Sequence, residues 1–147
     1  FGLNYRLPDI LCALGVSQLS RIDEFKSIRN QIFDRYRTAL SDIEELVLPT
    51  KYSYVDPMWH LYPLRVPISR RRELYLSLRE VGIGVQVNYL PAHMHPVFLK
   101  KGFQEGDFPV SEEFYRSEIS LPMFPDRSIL DESFFEGLRG ILMKFFS

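Results

Sequence analysis

The spacing of apolar residues predicts the longest element of the chain, a helix of about six turns. Ser20 is expected to cap its start, with Asp23 three residues later as its partner. An earlier helix is expected over residues 8–19, because Pro8 and Asp9 suit a first turn and an apolar run follows them. The apolar residues of the long helix recur every three or four positions, as one helix face does: Ile22, Phe25, Ile28, Ile32, Phe33, Tyr36, Leu40 and Ile43.

The rest of the chain is predicted to mix short strands with short helices. Pro63 lies inside the second expected strand and indicates an edge or a bulge there. In the helix that Ser69 is expected to cap, Leu74, Leu78 and Val81 should face inward, and Gly82 should end it. This mixture predicts a two-layer α/β or α+β domain in which helices cover a small sheet. Strands are expected at 45–49, 59–67, 84–89 and 119–121, and helices at 69–81, 96–101, 111–117 and 131–146.

Length and composition predict one domain over residues 1–147, since 147 residues with 46% apolar content can bury a single good core. Within it we expect a helical connecting segment over 1–43 and a small α/β domain over 44–147. Charges are balanced, with 18 Lys and Arg against 19 Asp and Glu, so nucleic acid is not an expected partner. No apolar run reaches the roughly 20 residues of a membrane span.

The single cysteine, Cys12, excludes an internal disulfide and favours a cytoplasmic location. It lies in an apolar run, so we expect a small buried core residue and not a nucleophile. The pair His93 and His95 would direct both rings to one side of an extended backbone, as a zinc pair requires. No cysteine and no third ligand at the usual spacing accompanies them, so no metal site is expected.

Known catalytic signatures are absent from the sequence. It has neither a Gly-x-Ser-x-Gly elbow nor a glycine-rich phosphate loop between a strand and a helix. Polar side chains collect instead at predicted strand ends and turns, where amides, imidazoles and a guanidinium would suit a polyhydroxylated or phosphorylated ligand. These residues are Asn4, Tyr5, Arg6, His60, Gln86, Asn88, Tyr89, His93 and His95.

Six blocks of sequence carry a resemblance to a known family: residues 2–9, 13–19, 59–62, 82–91, 106–112 and 119–125. They occur in the same order as in the DegT/DnrJ/StrS-type sugar aminotransferases, which the chain resembles over almost its whole length. The family consists of pyridoxal-phosphate (PLP) enzymes of the aspartate aminotransferase fold, fold type I. The resemblance implies the C-terminal portion of such an enzyme: a small domain with a mainly antiparallel sheet, without the large PLP-binding domain.

The resemblance implies transfer of an amino group from glutamate to a nucleotide-linked keto-sugar, and it is strongest to enzymes that aminate C4 of a 4-keto-6-deoxy sugar. In the family, the lysine that binds PLP as a Schiff base lies upstream of the Asn-Tyr-Arg motif. We therefore expect PLP in the full-length enzyme, no catalytic residue in this chain and no activity of the chain alone. A homodimer is also implied, because the first helices of the family pack on the large domain and across a dimer.

Residue roles follow from the same resemblance. Asn4 resembles the family asparagine that reaches the PLP phosphate of the neighbouring subunit, and Arg6 resembles its companion. Tyr5 and the segment Asn88-Tyr89-Leu90-Pro91-Ala92-His93 resemble parts of the sugar-nucleotide pocket, although the family usually has His where this chain has Asn88. The alternative is a non-catalytic module that binds a sugar nucleotide or supports oligomerisation.

Overall fold

A computed structural model describes residues 5–147, so Asn4 lies outside the described residues. The expected fold class is confirmed, because helices cover a small antiparallel sheet and a long helix precedes it. Single 3-10 turns lie at Ala92–Met94 and Arg127–Leu130. The elements are α1 (Asp9–Leu19), α2 (Ile22–Leu40), β1 (Tyr62–Arg65), α3 (Ile68–Glu80), α4 (Pro96–Leu99), α5 (Pro109–Ser117), β2 (Glu118–Leu121) and α6 (Glu132–Phe146).

Helix α2 forms as its apolar stripe predicts, but its ends differ from the expectation. Ser20 does not cap it, because the Ser20 hydroxyl donates to the Ser17 carbonyl at 2.8 Å and so completes the last turn of α1. The residue before α2 is Arg21, which makes no side-chain cap. The helix ends at Leu40, while Ile43 remains buried beyond its end. The buried residues of α2 are Ile28, Ile32, Phe33, Tyr36 and Leu40.

The core lies between α2, the sheet and α6. Tyr36 of α2 packs against Tyr62 of β1 and Phe135 of α6, with ring centroids 4.7 Å and 5.1 Å away. At the surface of the same contact, Arg139 of α6 donates to the Ala39 carbonyl at 2.8 Å. The long helix thus shares one hydrophobic core with the sheet, and the division at residue 43 stays a prediction.

The sheet has two paired strands in the described residues. β1 runs antiparallel to β2, from Tyr62 opposite Leu121 to Arg65 opposite Glu118. The strands predicted at 45–49 and 84–89 are wrong, since each region makes one isolated bridge. These bridges are Val47 with Arg65 and Gln86 with Ser120, so each region pairs at one point along an outer edge of the pair.

Prolines explain why the first of these regions does not extend into a strand. In an antiparallel ladder, the partners two positions beyond Val47 and Arg65 are Pro49 and Pro63, neither of which has an N–H to donate. In the other direction, the partner of residue 45 would be Pro67. The ladder therefore stops on both sides of the single bridge.

The side chain of Glu118 prevents the second region, residues 84–89, from extending into a strand. Two positions beyond the bridge of Gln86 with Ser120, a continued ladder would place Asn88 opposite Glu118. The Glu118 carboxylate accepts the Asn88 N–H at 2.9 Å and takes the place of a backbone partner. In the other direction, Pro122 would face Gly84 and has no N–H.

Helix α3 ends at a glycine, as predicted. Gly82 has a φ of 84°, in the left-handed region that favours glycine, and its N–H donates to the Arg79 carbonyl at 3.1 Å. Leu74 and Leu78 are buried as expected. The expectation for Val81 is wrong: this residue follows the last helical turn, and its side chain is 57% exposed.

Helix α1 has no buried residue among those the structure describes. The expectation for Cys12 is wrong, since this residue is exposed. Ile10 is 83% exposed and Leu14 is 56% exposed. Within residues 5–147, no helix combines the length and the apolar character that crossing a membrane would require.

Candidate functional site

A cleft of about 330 Å³ opens beside the end of β2, where residues 84–88 lie along the outer edge of this strand. Arg29 enters it from α2 and His60 enters it from the residues just before β1. The sequence brings these groups together because β1 pairs with β2 while Gln86 bridges to Ser120. The cleft is lined by Arg29, His60, Leu61, Gly84, Gln86, Asn88, Ser120, Leu121, Pro122, Met123 and Phe124.

Two nitrogen donors on the walls of this cleft have no partner in the described part of the chain. Asn88 is only 9% exposed, and its side-chain Nδ2 makes no hydrogen bond. Arg29 donates from Nη1 to the Trp59 carbonyl at 3.0 Å, while its Nε is buried without a partner. A buried donor without an acceptor costs about 1–3 kcal/mol. The cleft is therefore suited to a ligand rich in oxygen acceptors, such as hydroxyl or phosphate groups.

The other predicted site residues are dispersed. Tyr89 is 69% exposed beside the buried Asn88, and His93 is buried and does not line the same cleft. Tyr5 and Arg6 are exposed on the segment before α1. The predicted Asn4 lies outside the described residues. Of the residues predicted from the sequence, the structure thus places His60, Gln86 and Asn88 in the cleft. The roles of all the predicted residues stay predictions.

His93 is held by a buried carboxylate that sequence reasoning missed as a site residue. Its Nε2 lies 2.9 Å from Oε1 of Glu112, which also accepts the Gly106 N–H at 2.7 Å. Arg116 donates to the second oxygen of Glu112 at 3.2 Å. Burial pushes the pKa of Glu112 upward, but the Gly106 N–H, the His93 ring and the Phe108 N–H outweigh it and hold the pKa below its ordinary value.

The second histidine of the predicted pair has a different partner. The His95 Nε2 lies 3.3 Å from the Leu90 carbonyl, whereas His93 contacts Glu112. Across residues 5–147, no group of three or more His, Cys, Asp or Glu side chains is placed to hold a metal ion. The His-x-His spacing here serves two separate hydrogen bonds.

Glu118 is a second buried carboxylate that the sequence analysis did not identify. It is fully buried at the start of β2, where it accepts the Asn88 N–H at 2.9 Å and a hydrogen bond from the Ser120 hydroxyl. Burial raises the pKa of Glu118 above its ordinary value, and these hydrogen bonds oppose the shift only in part. An acidic residue between a helix and an apolar strand is ordinarily solvated, so no sequence signal marks Glu118 as buried.

The residues that line the cleft meet only part of what PLP requires. PLP enzymes of this type supply an amine for the Schiff base, an acid for the pyridinium nitrogen and donors for the phosphate. The cleft offers donors, but neither a lysine nor a carboxylate lines it. Lys26 and Lys51 pair with Asp56 and Asp34, and the remaining three lysines, Lys100, Lys101 and Lys144, are exposed. This cleft therefore does not fit PLP as a self-contained binding site.

The fold and the cleft together define a small α/β domain suited to binding an oxygen-rich ligand. The DegT/DnrJ/EryC1/StrS aminotransferase family matches residues 1–131, which is most of the chain. The chain belongs to this family, and the resemblance noted in the sequence is confirmed.

Individual relatives agree with this assignment. Spore coat polysaccharide biosynthesis protein SpsC of Bacillus subtilis is 34% identical over 148 aligned positions, covering 96% of this chain and 38% of that protein. The UDP-4-amino-4,6-dideoxy-N-acetyl-beta-L-altrosamine transaminase of Campylobacter jejuni is 33% identical over 136, covering 90% and 36%. The crystal structure of Streptomyces venezuelae DesV with a ketimine intermediate superposes with a TM-score of 0.87 at 28% identity, covering 98% and 38%. The chain thus spans somewhat more than a third of the length of these relatives.

Proposed function

We propose that the protein containing this chain is a PLP-dependent aminotransferase that converts a nucleotide-linked keto-sugar into an amino sugar. In the net reaction the amino group of glutamate and the carbonyl oxygen of the sugar exchange places, so glutamate becomes 2-oxoglutarate. PLP supplies the electron sink for this exchange when it is bound. Family membership supports the reaction class, and the name of the Campylobacter jejuni transaminase supports amination at C4.

The observation that carries this proposal for the chain itself is the pair of unpartnered donors in the cleft. Nδ2 of Asn88 and Nε of Arg29 would donate to hydroxyl or phosphate oxygens of the nucleotide sugar. Tyr5 and Tyr89, both exposed, would add contacts to the sugar nucleotide, and His93 would support the segment that carries Asn88.

We propose that PLP is held mainly by residues of the full-length protein that lie outside residues 5–147. Asn4 and Arg6 would reach the PLP phosphate of the neighbouring subunit, as the family resemblance implies. The 147-residue chain by itself is expected to carry no covalently bound PLP and no transaminase activity, because none of its five lysines lines the cleft. The balanced charge of the chain argues against nucleic acid as a partner, and its single cysteine favours a cytoplasmic location.

Removal of the Asn88 side chain tests the proposed function. With full-length protein, PLP and glutamate, Asn88→Ala should lower kcat/KM for the keto-sugar roughly two- to tenfold, the value of one neutral hydrogen bond. The measurement is 2-oxoglutarate release together with mass spectrometry of the amino sugar. Gln31→Ala, an exposed change on α2, serves as the control and should leave the rate unchanged. No product from any nucleotide keto-sugar with the unsubstituted protein would contradict the proposal.

A non-catalytic binding module is the second candidate function. It is favoured by one observation, namely that the cleft offers donors but no lysine or carboxylate. Under this function, the 147-residue chain alone would bind a nucleotide sugar in calorimetry, while the full-length protein would release no 2-oxoglutarate. Product formation by the full-length protein would exclude it.

Self-association of the chain is a further expected result. Helix α1 exposes Ile10, Leu11, Leu14, Val16 and Leu19, and an exposed apolar surface of this kind is usually covered by a partner. We expect a homodimer on size-exclusion chromatography with light scattering, at twice the chain mass of 17.3 kDa. Leu14→Glu should shift the mass toward the monomer, whereas the matched change Val110→Glu, at an exposed site on α5, should not. A monodisperse monomer without any substitution would contradict this expectation.

A further inference from the structure

The segment from Asn88 to His93 is buried at its two ends and mostly exposed between them. Asn88 and His93 are 9% and 7% exposed, and of the residues between them Tyr89, Leu90 and Ala92 are exposed while Pro91 is buried. One end of the segment lines the cleft through Asn88. The contacts that hold the two ends of the segment therefore determine the position of the part of the cleft wall that Asn88 forms.

Both ends are held by carboxylates that flank one helix. Glu112 lies in the first turn of α5 and contacts the His93 ring at 2.9 Å. Glu118 follows the last residue of α5 and accepts the Asn88 N–H at 2.9 Å. The start of the segment is thus held by the first residue of β2, and its end is held by a residue in the first turn of α5.

Each carboxylate is itself held on more than one side. Glu112 accepts the Gly106 N–H at 2.7 Å and pairs with Arg116, which also donates to Glu105 at 2.6 Å. Glu118 receives the Ser120 hydroxyl in addition to Asn88. Glu112 is 2% exposed and Glu118 is fully buried. Buried carboxylates are costly unless they are well hydrogen-bonded, so both are fixed in place and can in turn fix what they contact.

We propose that Glu112 and Glu118 are positioning residues which hold the Asn88–His93 segment as a wall of the ligand cleft. Glu118 sets the backbone at Asn88, whose side chain lines the cleft, and Glu112 anchors the far end through His93. The proposal rests on the proposed function only where it assigns the ligand as the nucleotide keto-sugar. The two carboxylates are not expected to contact that ligand, because neither lines the cleft.

Amide hydrogen exchange on the 147-residue chain, measured by NMR, tests the structural half of the proposal. Glu118→Ala should accelerate exchange of the Asn88 amide about tenfold or more relative to the core amides of α2, because that amide loses its acceptor. Glu118→Gln retains a carbonyl oxygen and should keep the amide close to its unsubstituted rate. Glu112→Ala should accelerate the Gly106 amide in the same way. Glu113→Gln, an exposed neighbour on the same helix, should change neither amide.

Steady-state kinetics on the full-length protein test the functional half. Glu112→Ala and Glu118→Ala should raise KM for the keto-sugar several-fold, and Glu118→Gln should restore it most of the way. The release of 2-oxoglutarate from glutamate in the absence of sugar should not change. A loss of folded protein alone would instead lower both activities in proportion and leave KM for the sugar as it was.

Two results would overturn the proposal. One is an Asn88 amide that exchanges at its unsubstituted rate in Glu118→Ala. The other is an accelerated amide with an unchanged KM for the sugar. If the full-length protein shows no transamination, the proposed function fails, and the dissociation constant of a nucleotide sugar, measured by calorimetry on the same variants, takes the place of KM. An unchanged dissociation constant would then overturn the positioning role, and a several-fold weaker one would support it.

Discussion

Replacement of Tyr36 by alanine is expected to destabilise the chain by about 3–5 kcal/mol, as large-to-small changes of buried aromatic residues do. Tyr36 is fully buried, and its ring contacts Tyr62 and Phe135 of the two other layers of the core. Its removal leaves a cavity where α2, β1 and α6 meet. Total stabilities of single domains are about 5–15 kcal/mol, so this one change could unfold a large fraction of the chain.

Urea unfolding followed by circular dichroism measures this effect. Tyr36→Phe isolates the hydroxyl, which donates to the Pro122 carbonyl at 2.9 Å, and should cost about 0.5–1.5 kcal/mol. Because Pro122 also lines the cleft, Tyr36→Phe should weaken nucleotide-sugar binding in addition. Tyr54→Ala is the matched control, since Tyr54 is 81% exposed, and it should stay within about 0.5 kcal/mol. A similar loss in Tyr54→Ala and Tyr36→Ala would contradict this description of the core.

Substitutions of Glu118 are expected to have the second largest effect on stability. The effect has two parts, the hydrogen bond to the Asn88 N–H and the buried charge, and two substitutions separate them. Glu118→Ala and Glu118→Gln both remove the charge, but only alanine leaves the buried Asn88 N–H without an acceptor. We therefore expect Glu118→Ala to be less stable than Glu118→Gln by about 1–3 kcal/mol. Equal stability of the two variants would show that the hydrogen bond to Asn88 contributes nothing measurable.

The charge of Glu118 should appear in the pH dependence of stability. Burial raises the folded-state pKa of Glu118 above its ordinary value of 4.5, so the folded state binds more protons than the unfolded state over that interval. The free energy of unfolding should consequently fall as the pH rises from about 4.5 through the folded-state pKa. Glu118→Gln cannot titrate at this position and should lack this fall. The free energy of unfolding of Glu118→Gln, relative to that of the unsubstituted chain, should therefore rise with pH.

Glu112 should show the opposite pH dependence. Its folded-state pKa is held below the ordinary value of 4.5, so its contribution is present above that pH and is lost as the pH falls through the folded-state pKa. Glu112→Gln should remove this acid-side loss. The difference in urea midpoint between each Gln variant and the unsubstituted chain should therefore change with pH in opposite directions for the two variants. Differences that change in the same direction would contradict the assigned environments.

Local sequence patterns predicted the helices well. The stripe of Ile28, Ile32, Tyr36 and Leu40 requires one buried face, and that face is buried in the structure. Gly82 ends α3 because a left-handed φ is available to glycine at little cost. Both signals are carried by residues close together in the chain, so no knowledge of distant partners is needed to read them.

Strand length was not predictable in the same way. The regions around Val47 and Gln86 have strand-like composition, yet each makes a single bridge. Pairing depends on the residue opposite, and here the opposite positions hold prolines or the side chain of Glu118. The partner of each position becomes known only when the register is known.

The candidate site shows the same division. His60, Gln86 and Asn88 were named as candidates from the sequence, whereas Arg29, which α2 brings to the same cleft, was not. The structure shows His93 bonded to Glu112, and its expected contact with substrate stays a prediction. Neither the burial of Glu112 nor that of Glu118 follows from local composition, because acidic residues next to helix ends are usually solvated.

The sequence alone was sufficient to predict the helices and the family, since periodicity and motifs are local properties of the chain. The tertiary structure decided which of the candidate site residues meet in one cleft and which carboxylates are buried behind it. The physical reason is that burial and hydrogen-bond partners depend on segments brought together from distant positions, such as Asn88 with Glu118 and His93 with Glu112.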